Sequence, residues 1–146
     1  PVLTCKENGE EYTLMVSQRR ILDGNFAEEF PAGGIDLISD DPKETACQEL
    51  REELDINVLP EELILLDKKQ VKINPSFSDG LVYFFYFERE VSLLYLQDIN
   101  ERRTGCHDDG EYINIKVKKM SHVVDAMTSS ALIGVKLLER AMHRVF

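Results

Sequence analysis

Three glutamates lie close together in the middle of the sequence, Glu49, Glu52 and Glu53. On an α-helix they fall at about 300°, 240° and 340° around the axis from Ala46, and so to one side of the helix. Like charges at this spacing destabilise an exposed helix by roughly 0.2–0.5 kcal/mol per pair, and by more where water is excluded. A divalent cation would offset the repulsion, because carboxylate oxygens are the ligands that Mg²⁺ prefers. The alternative is a solvated acidic face, paired with basic neighbours such as Arg51.

The helix that carries these glutamates has clear signals at its start and along one face. Asp40 or Asp41 can accept hydrogen bonds from the first backbone amides, and Pro42 suits the first turn. The apolar residues fall within about 100° of arc, and they are Ala46, Cys47, Leu50 and Leu54. We therefore expect the helix to pack this stripe on the core, with the glutamates at its border.

A short loop rich in proline and glycine precedes the helix at residues 31–34, Pro-Ala-Gly-Gly. Proline and paired glycines stop regular structure and let the backbone approach another group closely. We therefore expect this loop to lie against another part of the chain or against a ligand.

The remaining pattern predicts strands separated by turns. The strands fall at residues 2–5 and 12–16, which form a hairpin, and at 63–73, 81–87 and 112–117. The run at 81–87 is apolar on both faces, which favours a central strand in a covered sheet. A final amphipathic helix follows Ser129. Strands on both sides of a mid-chain helix, with a second helix at the end, predict an α/β fold with a mixed sheet between helices.

Composition and charge exclude several classes of partner. The 17 Lys and Arg residues against 27 Asp and Glu give a formal net charge of -10, which argues against long nucleic acid. A small anionic ligand stays compatible, because a divalent cation can stand between it and the carboxylates. No apolar run approaches the ~20 residues of a membrane helix, and Cys5, Cys47 and Cys106 lack C-x-x-C spacing. We expect free thiols in a cytoplasmic protein with no membrane partner.

The glycine loop and the acidic helix together resemble the Nudix box, Gly-x5-Glu-x7-Arg-Glu-U-x-Glu-Glu-x-Gly-U, where U is an aliphatic residue. Gly34 is followed after five residues by Asp40, and after seven more by Gln48 and the glutamates. The spacing is kept, but Asp40 replaces Glu, Gln48 replaces Arg and Asp55 replaces Gly. Gln48 lacks the guanidinium that orients neighbouring carboxylates. Asp55 stands where the family has a helix-ending glycine, although Asp tolerates the left-handed conformation better than most residues.

The resemblance covers nearly the whole chain and extends to the branch of this family that hydrolyses ADP-ribose and nucleoside diphosphate sugars. The strand and glycine loop within residues 16–36 look like those of the branch. Residues 75–80, Pro-Ser-Phe-Ser-Asp-Gly, are similar to its Pro-Gly-Phe-Ser-Asp-Glu loop, with Gly80 where an acidic residue usually stands. Residues 108–111, Asp-Asp-Gly-Glu, match the acidic loop that can supply the catalytic base.

The resemblance implies three sets of site residues. The ligands of Mg²⁺, or of Mn²⁺ in its place, are Glu49, Glu52, Glu53 and the backbone carbonyl of Ala32. The catalytic candidates are Glu52, Asp109 and Glu111, and the last two are candidates for the base. The substrate-binding candidates are Arg20, Gly34, Ser76 and Phe77, although Phe77 could instead fill the core and Arg20 could be a solvated charge.

The resemblance also implies a fold and a function. We expect one domain over residues 1–146, an α/β/α sandwich of the Nudix type that hydrolyses the pyrophosphate bond of ADP-ribose or, next, of a UDP-sugar. The alternative is a Nudix-fold binding module for a nucleotide or protein partner, suggested by Gln48, Asp55 and Gly80; a weaker one is an acidic interaction domain without a ligand. Many members dimerise through an amino-terminal β-region, which we expect this sequence to lack, and a homodimer is compatible with the resemblance.

We expect Asp109→Asn and Glu111→Gln to separate the two candidates for the catalytic base. Asp109 is the first choice because it matches the base position of the branch. The variant that removes the base should lose about 10²–10⁴-fold in turnover at saturating substrate and Mg²⁺, while substrate binding is kept. Wild-type turnover in both variants would place the base elsewhere, and Glu52 would be the next candidate.

Overall fold

The computed structural model describes residues 1–19, 24, 26–35, 41–66, 71–72, 81–105 and 112–123. Within these ranges there are two α-helices, α1 (Pro42–Leu54) and α2 (Leu93–Ile99). Neither described helix is long and apolar enough to cross a membrane. The strands are β1 (Val2–Cys5), β2 (Glu11–Arg19), β3 (Phe26–Glu29), β4 (Ile64–Leu65), β5 (Val71–Lys72), β6 (Leu81–Val82), β7 (Phe85–Tyr86), β8 (Glu88–Val91), β9 (Arg103–Thr104) and β10 (Ile113–Lys119). Short 3-10 turns lie at Pro60–Glu62 and Met120–His122.

Six of the strands form one mixed sheet around β2. The order is β8-β1-β2-β10-β9, and β3 also pairs with β2. β1 and β8 run parallel, whereas all the other neighbours in this sheet are antiparallel. The long pairing of β10 with β2 runs from Asn114 opposite Ser17 to Lys119 opposite Tyr12. The predicted hairpin of the first two strands and the predicted mixed sheet are confirmed.

Both faces of β2 are buried, as expected for a sheet that lies between two layers. Leu14 and Val16 belong to the hydrophobic core together with Leu50 and Leu54 of α1. Met15 faces the other way, because side chains alternate along a strand, and it is also fully buried. The predicted α/β class is confirmed.

The predicted start and the predicted apolar stripe of the acidic helix are confirmed. Asp41 precedes α1 and its side chain accepts hydrogen bonds from the backbone N–H groups of Lys43 and Glu44, at 2.8 and 3.3 Å. Pro42 occupies the first turn. Within the stripe, Leu50 and Leu54 are buried, while Ala46 and Cys47 pack against the core at its edge. Packing of this stripe on the core therefore sets the position of the glutamates, which lie beside the stripe on the same helix.

The prediction of a single long strand at residues 81–87 is wrong, and the strand predicted at 63–73 lies partly outside the described residues. In the described residues of these runs, β4 pairs with β7 and β5 pairs with β6, as two-stranded ladders outside the main sheet. Residues 81–86 are half-buried, and the central strand is β2. An apolar run indicates that side chains meet neighbours on both faces, but it does not indicate that both edges of the backbone are hydrogen-bonded.

The sequence pattern did not predict α2. Ser92 precedes this helix, and its hydroxyl accepts a hydrogen bond from the backbone N–H of Tyr95 at 3.1 Å. Leu96 and Ile99, three residues apart, are buried. A serine cap followed by apolar residues at helical spacing was the available signal, but seven residues are too few for the periodicity to stand out. The final helix predicted after Ser129 lies outside the described residues.

The cysteines that the structure describes are free thiols, as expected. These are Cys5 and Cys47, and Cys106 lies outside the described residues. Burial raises the pKa of the Cys47 thiol, and the carboxylates of Glu61 and Glu62 raise it further. Cys47 is therefore protonated at neutral pH, so it is not an activated nucleophile on α1.

Candidate active site

The loop at residues 31–34 lies directly against the carboxyl-terminal half of α1. The backbone N–H of Ala32 donates a hydrogen bond to Glu53 Oε2 at 3.1 Å. Glu53 is only 6% exposed, and a carboxylate at that depth has to be paired, because an isolated buried charge is strongly unfavourable. This hydrogen bond therefore holds the loop to the helix at the candidate metal site.

Gly33 provides the close approach that the sequence predicted for this loop. A Cβ atom built on Gly33 would lie 1.7 Å from Glu49 Oε1. The Glu49 carboxylate therefore occupies the space that any other side chain at position 33 would need. Gly34, the candidate for substrate binding, differs, because a Cβ atom there would meet none of the described atoms within 4 Å. Among the described residues nothing fills the space beside Gly34, and its role in binding substrate stays a prediction.

Glu52 is oriented by Gln48, the residue that replaces the usual arginine of the motif. Gln48 Nε2 donates a hydrogen bond to Glu52 Oε1 at 2.8 Å, and both side chains are exposed. Residues four apart on a helix are neighbours, so this pair forms within α1 itself. The glutamine amide thus keeps one contact with a carboxylate, although without the charge and the second donor of a guanidinium.

The structure brings two of the three candidate glutamates together and leaves the third apart. Glu49 and Glu53, one turn apart on α1, both lie against residues 31–34, whereas Glu52 is exposed beside Gln48. In the part of the chain that the structure describes, no group of three or more His, Cys, Asp or Glu side chains could hold a metal ion. Mg²⁺ typically takes one or two protein carboxylates, with waters and substrate phosphates at its other positions. The two glutamates and the loop therefore fit a hard divalent cation by donor type and by number.

The expectation that Asp55 could end the helix without glycine is confirmed. Its backbone is left-handed, with φ 55° and ψ 37°, and its N–H donates to the carbonyl of Arg51 at 3.1 Å. The side chain that glycine would lack forms an ion pair with Arg102 Nη1 at 2.9 Å. The other guanidinium nitrogen of Arg102 lies 2.6 Å from Asp98 of α2. The residue that departs from the motif therefore links the end of α1 to α2.

Two neighbours of Arg102, in β9 and just after it, contact the last turn of α1, and no sequence pattern singled them out. The Thr104 hydroxyl donates a hydrogen bond to the backbone carbonyl of Glu53. The backbone N–H of Gly105 donates to the carbonyl of Glu52 at 3.2 Å. Thr104 and Glu53 are 51 residues apart in sequence, so no local pattern could have indicated this contact.

Several predicted site residues lie outside the described residues, and their roles stay predictions. They are Arg20, Ser76, Phe77, Asp109 and Glu111. The neighbouring Arg19, at the end of β2, is described, and its Nε donates to the carbonyl of Gly24 at 2.9 Å. That guanidinium is therefore bound by the backbone carbonyl of Gly24.

The comparisons with known proteins agree with this geometry. A family model described as the NUDIX domain matches residues 1–129. The chain is 24% identical over 123 residues to "Nudix hydrolase 14, chloroplastic" from Arabidopsis thaliana, and the match covers 80% of this chain. It covers 40% of that relative, so the chain spans less than half the length of the curated protein.

A solved structure shows the same fold at low sequence identity. It is the NUDIX domain of Shewanella oneidensis NrtR in a cocrystal with ADP ribose, with a TM-score of 0.51 and 18% identity. The match covers 99% of this chain and 84% of that one.

We expect Gly33→Ala to disturb the candidate metal site while the protein stays folded. The added methyl group would displace the Glu49 carboxylate, which is the far end of a flexible side chain, so α1 itself need not move. Affinity for Mn²⁺ should fall by about tenfold or more, given that changes beside metal ligands cost 10–100-fold. The measurement is a Mn²⁺ titration followed by electron paramagnetic resonance.

The matched control for this variant is Gly34→Ala, because a Cβ atom at Gly34 would meet no atom of the described residues within 4 Å. The control should keep the wild-type dissociation constant for Mn²⁺, and both variants should melt within a few degrees of the wild type. Equal Mn²⁺ affinity in both variants would remove Glu49 from the metal site.

Proposed function

The chain belongs to the Nudix domain family, and we propose that it hydrolyses the pyrophosphate bond of a nucleoside diphosphate linked to a sugar, with the help of a divalent cation. One observation carries the proposal: Glu49 and Glu53 lie together against the glycine loop, at the positions where the Nudix box has acidic ligands. We assign Mg²⁺ as the ion, with Mn²⁺ as the substitute, because all the donors are oxygen atoms.

The distribution of charge along α1 supports a bound cation. The carboxyl-terminal end of a helix has a partial negative charge, so acidic residues there are unfavourable by roughly 0.3–1 kcal/mol each. Glu52 and Glu53 nevertheless occupy the last turn of α1, and only Arg51 is basic in that turn. The arrangement opposes the stability of the isolated helix. A divalent cation at this end would remove the penalty, and the same cation would attract a diphosphate.

The chain's own residues have distinct roles in the proposed reaction. The Ala32 N–H holds the Glu53 carboxylate, and Gly33 leaves room for that of Glu49. A substrate phosphate would lie beside Gly34, where none of the described atoms approaches a Cβ position within 4 Å. A bound cation would neutralise the diphosphate and lower the pKa of a water molecule. The proton of the attacking water then passes to Asp109 or Glu111, with Glu52 as the alternative. Water adds to one phosphorus, the bond from that phosphorus to the bridging oxygen breaks, and the other phosphate leaves, so the products are a nucleoside monophosphate and a sugar phosphate.

The described departures from the motif favour an enzyme over the alternative of a binding module. Gln48 still contacts Glu52, and Asp55 still ends the helix in the left-handed conformation. Two substitutions that could have disabled the site therefore preserve its local geometry. The other two departures, Asp40 and Gly80, lie outside the described residues.

ADP-ribose is the substrate to test first, and UDP-sugars come next. The resemblance of the sequence to the ADP-ribose and nucleoside diphosphate sugar branch supports this order. The NrtR cocrystal adds that a domain of this fold forms a complex with ADP ribose. Because the net charge of -10 repels a free diphosphate, we also propose that the cation accompanies the substrate into the site.

The direct test is a panel of nucleoside diphosphate derivatives incubated with the protein and Mg²⁺. We expect release of a nucleoside monophosphate from ADP-ribose or from a UDP-sugar, measured by chromatography, and loss of this activity in excess chelator. Full activity in chelator would contradict the assignment of a metal. If a compound raises the melting temperature without being cleaved, the binding module becomes the better description.

Glu53→Gln is expected to lower turnover by about 100-fold or more, because it alters a direct metal ligand. The fold should persist, since the amide oxygen of Gln can still accept the hydrogen bond from Ala32. The melting temperature of the metal-free variant should equal or exceed that of the wild type, because one negative charge leaves the end of the helix.

The control for Glu53→Gln is Glu44→Gln, on the same helix but in its first turn and exposed. It removes the same charge without touching the loop, so turnover should stay within about twofold of the wild type. Similar turnover in Glu53→Gln and Glu44→Gln would exclude Glu53 from the site.

A further inference from the structure

Four backbone carbonyls near the end of α1 accept hydrogen bonds from groups outside the helix. In any α-helix the last four carbonyls lack a partner within the helix, and the last turn therefore frays unless they are bound. The carbonyls of Leu50 and Arg51 accept hydrogen bonds from the N–H groups of Ile56 and Asp55, at 3.2 and 3.1 Å. These two contacts form locally, as the chain leaves the helix.

The next two carbonyls are bound by a distant segment. The carbonyl of Glu52 accepts from the Gly105 N–H at 3.2 Å, and that of Glu53 accepts from the Thr104 hydroxyl. These are the carbonyls of two of the three candidate metal ligands. Thr104 is the only member of this set that acts through its side chain, so it is the one that a substitution can remove.

Glu53 is therefore held through both its side chain and its backbone. Its side chain accepts a hydrogen bond from Ala32, and its backbone carbonyl accepts one from Thr104. Arg102, two residues before Thr104, fixes the same end of the helix through Asp55 at 2.9 Å. Three contacts from residues 102–105 thus converge on the turn that carries Glu52 and Glu53.

We propose that Thr104 is a positioning residue of the metal site: its hydroxyl fixes the last turn of α1, so that the Glu53 carboxylate stays beside that of Glu49 against residues 31–34, where a divalent cation would be held. The inference rests on the proposed function for the assignment of these glutamates as metal ligands. Thr104 itself contacts neither metal nor substrate in this scheme. It acts by restricting the conformations of the last turn of α1, which would otherwise fray.

A purely structural role is the competing explanation, and Thr13 provides a matched comparison. Thr13 lies in β2 of the same sheet, is 1% exposed, and donates from its hydroxyl to the carbonyl of Pro1 at 2.7 Å. Thr13→Val and Thr104→Val therefore each remove one hydrogen bond from a threonine hydroxyl to a backbone carbonyl. Only Thr104→Val removes it from the helix that carries the glutamates.

The test is a Mn²⁺ titration of the full chain without substrate, followed by electron paramagnetic resonance, with melting temperatures measured in parallel. Thr104→Val should weaken Mn²⁺ binding by about 10-fold or more, as is usual for changes to groups that orient metal ligands. Thr104→Ser, which keeps the hydroxyl, should bind within about threefold of the wild type. Thr13→Val should lower the melting temperature and leave the dissociation constant for Mn²⁺ unchanged.

Three results would overturn the proposal. They are wild-type Mn²⁺ affinity in Thr104→Val, equal weakening in the valine and serine variants, and equal weakening in Thr13→Val. If Thr104→Val does not fold, Arg102→Gln tests the same helix end at an ion pair nearer the surface, and unchanged Mn²⁺ affinity in it also counts against the proposal.

Different measurements would refute the role of Thr104 and the proposed function. A protein that binds Mn²⁺ in a Thr104-dependent way but releases no monophosphate from any compound would refute the function and keep the positioning role. A protein that hydrolyses a compound with Mg²⁺, while Thr104→Val binds Mn²⁺ normally, would do the reverse.

Discussion

The hydrogen bond from the Ala32 N–H to the buried carboxylate of Glu53 is the contact on which the rest of the site depends. A side chain at this depth needs a hydrogen-bond partner, because a buried polar group without one destabilises the fold. Because the donor is a backbone group, the requirement falls on the conformation of the loop rather than on the side chain at position 32. The loop has to approach the helix closely, and Gly33 permits this approach by leaving its side-chain space to Glu49.

The end of α1 connects several parts of the fold. Loop 31–34 lies on one side of it, and the β9 segment binds its last carbonyls. Arg102 links Asp55 of the helix end to Asp98 of α2. Because β9 pairs with β10, which pairs with β2, the position of the helix end is also tied to the main sheet. The acidic turn is thus fixed from three directions despite the unfavourable charge at this end of the helix.

The substitutions in the Nudix box show how a motif can change while its geometry is kept. The motif has glycine at this helix end, and glycine adopts the left-handed conformation without strain. Asp55 adopts the same conformation and adds an ion pair with Arg102 that glycine could not make. Gln48 similarly replaces a charged donor by a neutral one that still contacts Glu52. The residue types differ from the motif, but Asp55 keeps the backbone conformation at the helix end and Gln48 keeps a hydrogen bond to the Glu52 carboxylate.

Local patterns in the sequence determined α1, its cap at Asp41, its apolar stripe and the β1–β2 hairpin, because a helix or a hairpin is specified by residues a few positions apart. The sequence alone likewise showed that the three glutamates lie on one side of this helix. Only the tertiary structure decided that β2 rather than residues 81–87 is central, and that Glu49 and Glu53 meet the loop while Glu52 does not. Only the fold also brings Thr104 to a carbonyl 51 residues away. Periodicity specifies which face of an element is apolar, whereas hydrogen bonds between distant segments depend on how the chain returns, which no local pattern encodes.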